Sequence, residues 1–240
     1  MPLFYLKYQI TEDTAARAQC IATFGAMGED DDARDAGDKV RILGRWNTVG
    51  KSAGYCICDA VDAAALHAWL LNWATVATIE AFPVVDDNAA RRIILGTDEP
   101  PFLVDYDAVG HGAKDSESLY VIEYQFQAGK RGEGHAAFAG MTAEQDRADA
   151  GANTCYGRWH DLGRGSGVAV CSSPSEVALH TWAHHWTAMC DCTIVPVVTD
   201  AECRANIRSK PQFQPQPSNA APPSAGRPDG VTNRPCCTIS

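Results

Sequence analysis

The stretch LFYLKYQI, Leu3–Ile10, returns later in the chain as LYVIEYQF, Leu119–Phe126. Three further segments return in the same order: GRWN at 44–47 as GRWH at 157–160, ALHAWLLNW at 65–73 as ALHTWAHHW at 178–186, and AFPVVDD at 81–87 as IVPVVTD at 194–200. Four ordered matches at nearly one spacing indicate an internal duplication. Whatever fold one copy adopts is therefore expected of the other.

Each copy has the residue pattern of a mixed α and β unit. In the opening stretch, apolar residues alternate with Lys7 and Gln9, which is the period of a strand with one apolar face. The following elements are a helix over 11–27 with Thr11 as N-cap, strands over 40–47 and 54–59, a helix after Asp62 or Ser175, and a strand reaching Pro83 or Pro196. The order βαββαβ is that of the ferredoxin-like unit, so the predicted class is α+β.

Composition divides the chain into two folded repeats, one linker between them and one C-terminal segment. The repeats are expected at 1–95 and 119–207, separated by a linker at 96–118 that is rich in glycine, proline and acids. The segment 208–240 is proline-rich and nearly free of large apolar residues, so it cannot bury enough surface to fold. We expect it to be a disordered tether.

The overall charge and the cysteine content limit the partners and the compartment. A net charge of -10 argues against a nucleic-acid partner, because such binding depends on clustered lysine and arginine. The chain shows neither a signal-peptide pattern nor an apolar run long enough to span a bilayer, which predicts a cytoplasmic protein. Thiols stay reduced there, so the ten cysteines do not predict a disulfide framework.

Together these motifs resemble a known family. A short opening strand, a G-x-W, a helix reading D/S-x-x-x-L-x-x-W-x-x-x-W and a PVV strand are similar to the domain-of-unknown-function family DUF3303, of the dimeric α+β barrel superfamily. The resemblance covers residues 3–95 and 119–207. It implies that the two repeats close on each other as two subunits otherwise would, so a monomer is expected. The superfamily includes cofactor-free monooxygenases, isomerases, haem enzymes and plain ligand binders, so the resemblance implies a fold and no particular activity.

Polar residues on the face turned toward the partner sheet are the first candidates for ligand binding. Lys7 corresponds to Glu123 in the second copy, which predicts a complementary pair across the pseudo-twofold axis or a partly exposed salt bridge of about 0 to 1 kcal/mol. Strand alternation predicts that Arg45 and Arg158 join this cluster and favour an anionic ligand.

Histidine and tryptophan supply further candidates in the predicted pocket. His67 and His180 occupy equivalent helix positions beside the apolar stripe, as boundary histidines or, with Glu123, as weak candidates for catalysis. Trp46 and Trp159 follow the strand period and are expected in the core first and at a ligand-binding wall second.

The second copy alone contains a set of residues with the spacing of metal ligands. His180 and His184 share a helical face, and Cys190 and Cys192 follow at strand spacing, which together is typical of a zinc or iron site. The equivalents in the first copy are His67, Leu71, Ala77 and Ile79, so any metal site would be specific to the second copy. The set is therefore a weak candidate, and the sequence predicts no cofactor. The acidic run at 29–32 is interpreted as a solvated connection, since it lacks the spacing of a calcium loop.

The chain ends in RPCCTIS, and its last four residues fit the C-a-a-X pattern of a farnesylated protein. One farnesyl chain gives only reversible membrane residence, so Cys236, placed next to Cys237, is the expected second attachment point by S-acylation. The alternative is an unmodified tail or a thiol pair that binds stray metal. Lipid attachment would place the protein on the cytosolic face of a membrane.

No constellation specific to one reaction appears in the sequence. There is no Ser-His-Asp order, no P-loop and no G-x-G-x-x-G after a strand, and HDLGRGSG at 160–167 reads as a hairpin turn. The leading hypothesis is a membrane-tethered small-molecule-binding or scaffolding protein with a pocket between sheet and helices. The alternative is a cofactor-free or metal-assisted enzyme, monooxygenase- or isomerase-like, acting on a small organic substrate.

Overall fold

The computed structural model describes residues 1–104 and 117–213. The first repeat contains β1 (Leu3–Ile10), α1 (Thr14–Ala26), α2 (Glu29–Ala36), β2 (Val40–Thr48), β3 (Ala53–Ala60), α3 (Ala63–Leu70), β4 (Ala77–Asp86) and α4 (Asp87–Leu95). The second contains β5 (Ser118–Phe126), α5 (Arg131–Gly140), α6 (Ala143–Ala150), β6 (Thr154–Asp161), β7 (Ser166–Ser173), α7 (Glu176–His185), β8 (Cys190–Thr199) and α8 (Asp200–Arg208). The predicted lipid-attachment residues Cys236 and Cys237 lie outside the described residues.

The predicted βαββαβ order is present in both repeats, with two further helices in each. The acidic run at 29–32 begins helix α2, so its interpretation as a solvated connection was wrong. Helix α1 is capped by Asp13 rather than Thr11, because the Asp13 carboxylate accepts a hydrogen bond from the amide of Ala16. Asp62 and Ser175 cap α3 and α7 as expected.

The eight strands form one closed antiparallel barrel in the order β1-β3-β2-β8-β5-β7-β6-β4. The repeats meet at two junctions, where the end of β4 pairs with β6 and the end of β8 pairs with β2. The last strand of each repeat therefore delivers the residues that follow it to the other repeat. The chain is a pseudo-dimeric α+β barrel built from two fused ferredoxin-like units.

The barrel interior is a packed apolar core to which both repeats contribute. Trp46 and Trp159, each 2% exposed, lie at its centre with ring centroids 6.3 Å apart. Around them lie Tyr5, Tyr55, Ile57, Val84, Leu119, Val121, Tyr156, Val168, Val170 and Val197. Burial of this apolar area is the main force that holds the two repeats together.

The G-x-W motif has a steric explanation in this core. A Cβ atom on Gly44 or Gly157 would lie 2.4 Å from the indole ring of Trp46 or Trp159, so only glycine leaves room for the ring. A β-bulge precedes each glycine and reverses the alternation of side chains along the strand. Arg45 and Arg158 consequently point to the helix side of the sheet, and the prediction that they join Lys7 and Glu123 was wrong.

Two smaller cores lie between the sheet and the helices on the outside of the barrel. In the first repeat, Trp69 and Leu66 of α3 pack on Leu6 and Cys56 of the sheet. In the second, Trp182 and Leu179 of α7 pack in the equivalent way. Within 1–104 and 117–213, no helix has the length and apolarity needed to cross a membrane.

Candidate functional site

Each repeat has a pocket between its sheet and its helices, which is the location predicted from the sequence. The pocket of the first repeat, called the first pocket, is lined by residues that include Tyr8, Phe24, Arg45, Asn47, Trp69 and Trp73. The second pocket is lined by their counterparts Tyr124, Phe138, Arg158, His160, Trp182 and Trp186. The two cavities offer about 90 and 80 Å³ to the centres of water-sized molecules, several times what one water needs.

A continuous chain of hydrogen bonds runs from the wall of the second pocket to a buried carboxylate. The hydroxyl of Tyr124 lies 2.6 Å from Nδ1 of His160, and Nε2 of His160 lies 2.6 Å from Oδ1 of Asp87. His160 is 5% exposed and Asp87 is 0% exposed. Water does not compete for these contacts, so the imidazole is held in one orientation.

Asp87 is ionised despite its burial. Burial by itself raises the pKa of this carboxyl, but Arg158 and His160 outweigh it and lower the pKa to about 2. Arg158 Nε and Nη2 lie 2.9 and 2.5 Å from Asp87 Oδ2, and Arg158 Nη1 lies 2.8 Å from Asp146. Two carboxylates therefore neutralise the guanidinium, which leaves it poorly suited to an anionic ligand.

These charges determine the direction of the hydrogen bonds. An ionised Asp87 only accepts, so Nε2 of His160 carries a hydrogen, and in the neutral imidazole Nδ1 accepts the hydroxyl hydrogen of Tyr124. Burial raises the pKa of Tyr124 well above its ordinary value, so the phenol is protonated at rest. The arrangement can take a proton at the pocket wall and hold its charge on an imidazole beside a carboxylate.

The first pocket has the same geometry with an amide in place of the imidazole. Tyr8 donates to Asn47 Oδ1 at 2.8 Å, and Asn47 Nδ2 donates to Asp200 Oδ1 at 2.9 Å. Arg45 is ion-paired to Asp200 and, at 2.8 Å, to Asp32 of the acidic run. Because an amide does not titrate near neutral pH, this chain of hydrogen bonds cannot store a proton.

Each pocket receives its carboxylate from the other repeat. Asp87 begins α4, directly after the last strand of the first repeat, and serves the second pocket. Asp200 begins α8 after the last strand of the second repeat and serves the first pocket. This exchange follows from the pairing of β4 with β6 and of β8 with β2.

The two tryptophans of the L-x-x-W-x-x-x-W motif share one acceptor. In the second repeat, the indole nitrogens of Trp182 and Trp186 lie 2.8 and 2.9 Å from Asp149. In the first, Asp35 accepts from both indoles in the same way. These bonds hold one aromatic wall of each pocket in place, which explains the spacing of the motif.

Glycine gives the two tyrosine hydroxyls their positions. A Cβ on Gly54 would lie 2.2 Å from the hydroxyl of Tyr8, and one on Gly167 would lie 2.5 Å from that of Tyr124. Any larger residue would displace the hydroxyl from its partner. Each glycine is paired with its tyrosine on the neighbouring antiparallel strand, so that strand leaves room for the hydrogen bond.

Of the polar residues predicted for ligand binding, Arg45 and Arg158 line the two pockets, whereas Lys7 lies on the opposite face of the sheet. Lys7 Nζ lies 2.8 Å from Glu123, whose carboxylate also accepts from Tyr5 and Tyr55 at 3.0 and 3.3 Å. This cluster is on the barrel side of the sheet, away from the two pockets. Trp46 and Trp159 are buried in the barrel core and line neither pocket.

The structure does not bring the four candidate metal ligands together around one point. His180 and His184 are exposed on α7, as His67 is on α3, while the thiols of Cys190 and Cys192 lie at the wall of the second pocket, 3.8 Å apart. Among residues 1–104 and 117–213, no three His, Cys, Asp or Glu side chains come together as metal ligands would. All four side chains border one open surface cavity, but they do not come together as the ligands of one ion, so the set stays a weak candidate.

Sequence reasoning missed Tyr124, His160 and Asp87. His160 was assigned only to a hairpin turn, although it is the last residue of GRWH and the equivalent residue in GRWN is Asn47. A comparison of the two copies position by position would have singled out this exchange.

A protein-family model for DUF3303, a domain of unknown function, matches residues 2–97 and again residues 118–210. The chain belongs to this family. Solved structures of similar shape include a variant of DypB from Rhodococcus jostii RHA1 in complex with heme, with 8% identity and a TM-score of 0.48 over 85% of this chain and 95% of that chain. A chlorite dismutase mutant from Candidatus Nitrospira defluvii matches with 8% identity and a TM-score of 0.48 over 89% of this chain and 95% of that chain. Among curated proteins, no sequence matches significantly.

Proposed function

We propose that this chain binds a small, mostly apolar organic molecule in the second pocket and takes a proton from it through Tyr124 and His160. The observation that supports this is the hydrogen-bonded chain from the pocket wall to the buried carboxylate of Asp87. It favours the cofactor-free enzyme over the pure binding or scaffolding protein. Proton abstraction is a step common to isomerase-like and monooxygenase-like reactions of small organic substrates.

The walls of the pocket select the ligand. Trp182, Trp186 and Phe138 offer aromatic surface, which favours a ring or another flat apolar group. The hydroxyl of Tyr124 gives its hydrogen to His160, so its oxygen can accept a hydrogen bond from the ligand. The ligand is therefore an uncharged molecule with an O–H, N–H or acidic C–H group, rather than the anion expected from Arg45 and Arg158.

The proton moves in two linked transfers. The ligand gives its proton to the oxygen of Tyr124, while the tyrosine hydrogen passes to Nδ1 of His160. The ligand becomes an anion and the imidazole becomes an imidazolium, whose positive charge is stabilised by the carboxylate of Asp87. Asp87 keeps its charge throughout, as its low pKa requires.

A phenol whose ionised form absorbs visible light, 4-nitrophenol, tests this proposal. With wild-type protein, bound probe is expected to ionise at a pH where free probe is mostly neutral. His160→Asn copies the Tyr-Asn-Asp arrangement of the first pocket, so we expect it to bind the probe without ionising it. An equal ionised fraction in wild type and His160→Asn, or no binding measured by calorimetry, would overturn the proposal.

The C-a-a-X ending supports a second proposal, that lipid attachment at Cys237 and Cys236 tethers the protein to a membrane surface. An apolar substrate concentrates in such a surface, so the tether would bring the pocket close to it. Mass spectrometry of protein from a prenylating host should show the farnesyl mass on Cys237. An unmodified Cys237, with Cys237→Ser distributed like the parent between membrane and soluble fractions, removes this part of the proposal.

A further inference from the structure

We infer that the first pocket is a second binding site for the same class of uncharged apolar ligand, which it holds without proton transfer. The inference rests on the proposed function for the class of ligand. It goes further because it assigns a role to the first repeat, whose pocket the reaction does not use.

The groups that recognise the ligand are the same in both pockets. Trp69 and Trp73 form an aromatic wall held by Asp35, with indole nitrogens 2.7 and 2.9 Å from its carboxylate. Phe24 contacts two arginines, with guanidinium carbons 5.0 Å (Arg45) and 4.6 Å (Arg204) from its ring centroid. Phe138 contacts Arg158 and Arg91 in the same way, at 5.6 and 4.4 Å.

The hydrogen-bonding capacity at the wall is also the same. Tyr8 gives its hydrogen to Asn47, so its oxygen can accept a hydrogen bond from a ligand, as the oxygen of Tyr124 can. Arg45 is neutralised by Asp32 and Asp200, so this pocket is not built for an anion either. The first pocket is thus suited to an uncharged molecule with a donor group.

The groups that exchange protons are those that differ. Asn47 replaces His160, so a proton taken by Tyr8 would have no imidazole to pass to. Recognition is kept in the first pocket and the chemistry is absent.

Counting bound and ionised probe separately tests this inference. Calorimetry of wild-type protein with 4-nitrophenol should give two bound equivalents per chain, while visible absorbance should show one of them ionised. For His160→Asn we expect two bound and none ionised. Asn47→His should install the missing imidazole, giving two bound and two ionised.

A variant that blocks the first pocket shows where the second equivalent of 4-nitrophenol binds. Ala77→Phe puts a ring into the first pocket and should lower the bound equivalents from two to one. Ala64→Phe, exposed on α3, is the control and should leave two. One bound equivalent in wild type, if it is ionised, or two in Ala77→Phe, overturns this inference and leaves the proposed function standing. Two equivalents with no effect of His160→Asn on ionisation would overturn the proposed function and leave the second binding site standing.

Discussion

Oδ1 of Asp87 lies 2.6 Å from Nε2 of His160, so a carboxylate that follows the last strand of one repeat orients the imidazole of the other. Asp200 and Asn47 repeat this relationship in the opposite direction. Neither repeat contains a complete site by itself, since each carboxylate arrives through a strand junction between the repeats. The duplication is therefore part of the site as well as of the fold.

The first prediction concerns the stability of this contact. Asp87→Asn leaves the buried guanidinium of Arg158 with one carboxylate instead of two, so we expect the free energy of unfolding to fall by about 3 kcal/mol. Urea denaturation measures the change. Asp38→Asn, on the exposed surface, is the control and should change stability by less than about 0.5 kcal/mol. Equal stability of the two variants would contradict the role of Asp87.

The low pKa of Asp87 also predicts how stability depends on pH. Its folded pKa of about 2 lies below the ordinary value of 3.8, so the unfolded chain takes up the proton first as pH falls. The resulting stabilisation, about 2 kcal/mol, is complete above about pH 4 and is lost as pH falls toward 2. Urea midpoints for wild type and Asp87→Asn should therefore converge over that interval. A gap that stays constant down to pH 2 would show that the carboxyl is not ionised in the native state.

Glycine-to-alanine substitutions should destabilise the fold within the G-x-W motifs and stabilise it at a glycine with free space around it. Gly44→Ala and Gly157→Ala place a methyl group against the indole of Trp46 or Trp159, so each should destabilise the fold by about 1 to 3 kcal/mol. Gly132, in helix α5, has open space around its Cβ position, so Gly132→Ala should stabilise by about 0.5 to 1 kcal/mol. Thermal unfolding of the three variants checks both signs. A stable Gly44→Ala would show that the ring has room.

The strand and helix order followed from the sequence because apolar periodicity and the internal repeat both report it. The β-bulges before Gly44 and Gly157 could not be predicted from the sequence. Each bulge inserts one residue, which reverses the face of the sheet for every side chain after it, while the apolar and polar residues show no break in their pattern. Arg45 and Arg158 were placed on the wrong face for that reason.

The site depends on contacts between residues far apart in the chain. Asp87 was visible as part of a repeated strand ending, but its partner His160 is set by the junction of β4 with β6, which no local pattern encodes. The pairing of Lys7 with Glu123 could be anticipated, since both lie at equivalent positions of repeated strands. Sequence reasoning thus reached contacts related by the repeat and missed those made by the exchange of strand ends.

The two pairs of cysteines at strand spacing should differ in reactivity. Cys190 hydrogen-bonds to Cys192, which lowers the pKa of the Cys192 thiol, and Cys192 is half-buried at the second pocket. Cys56 and Cys58 are 2% and 0% exposed, and the neighbouring Cys58 thiol together with burial raises the pKa of Cys56. Iodoacetamide should therefore modify Cys192 well before Cys56 or Cys58. Peptide mass spectrometry of native protein measures the order, and modification of both pairs at one rate would contradict it.

The polar cluster inside the barrel should owe more to its tyrosines than to its ion pair. The side chain of Lys7 is 37% exposed, so its pairing with Glu123 is screened and a double-mutant cycle with Lys7→Met and Glu123→Gln should give less than about 1 kcal/mol. Glu123→Leu should cost about 1 to 3 kcal/mol or more, because it leaves the buried hydroxyls of Tyr5 and Tyr55 without their acceptor. Glu123→Gln keeps an acceptor of the same shape and is the matched control. If Lys7→Met proved as destabilising as Glu123→Leu, the ion pair and not the tyrosine hydrogen bonds would hold this part of the barrel.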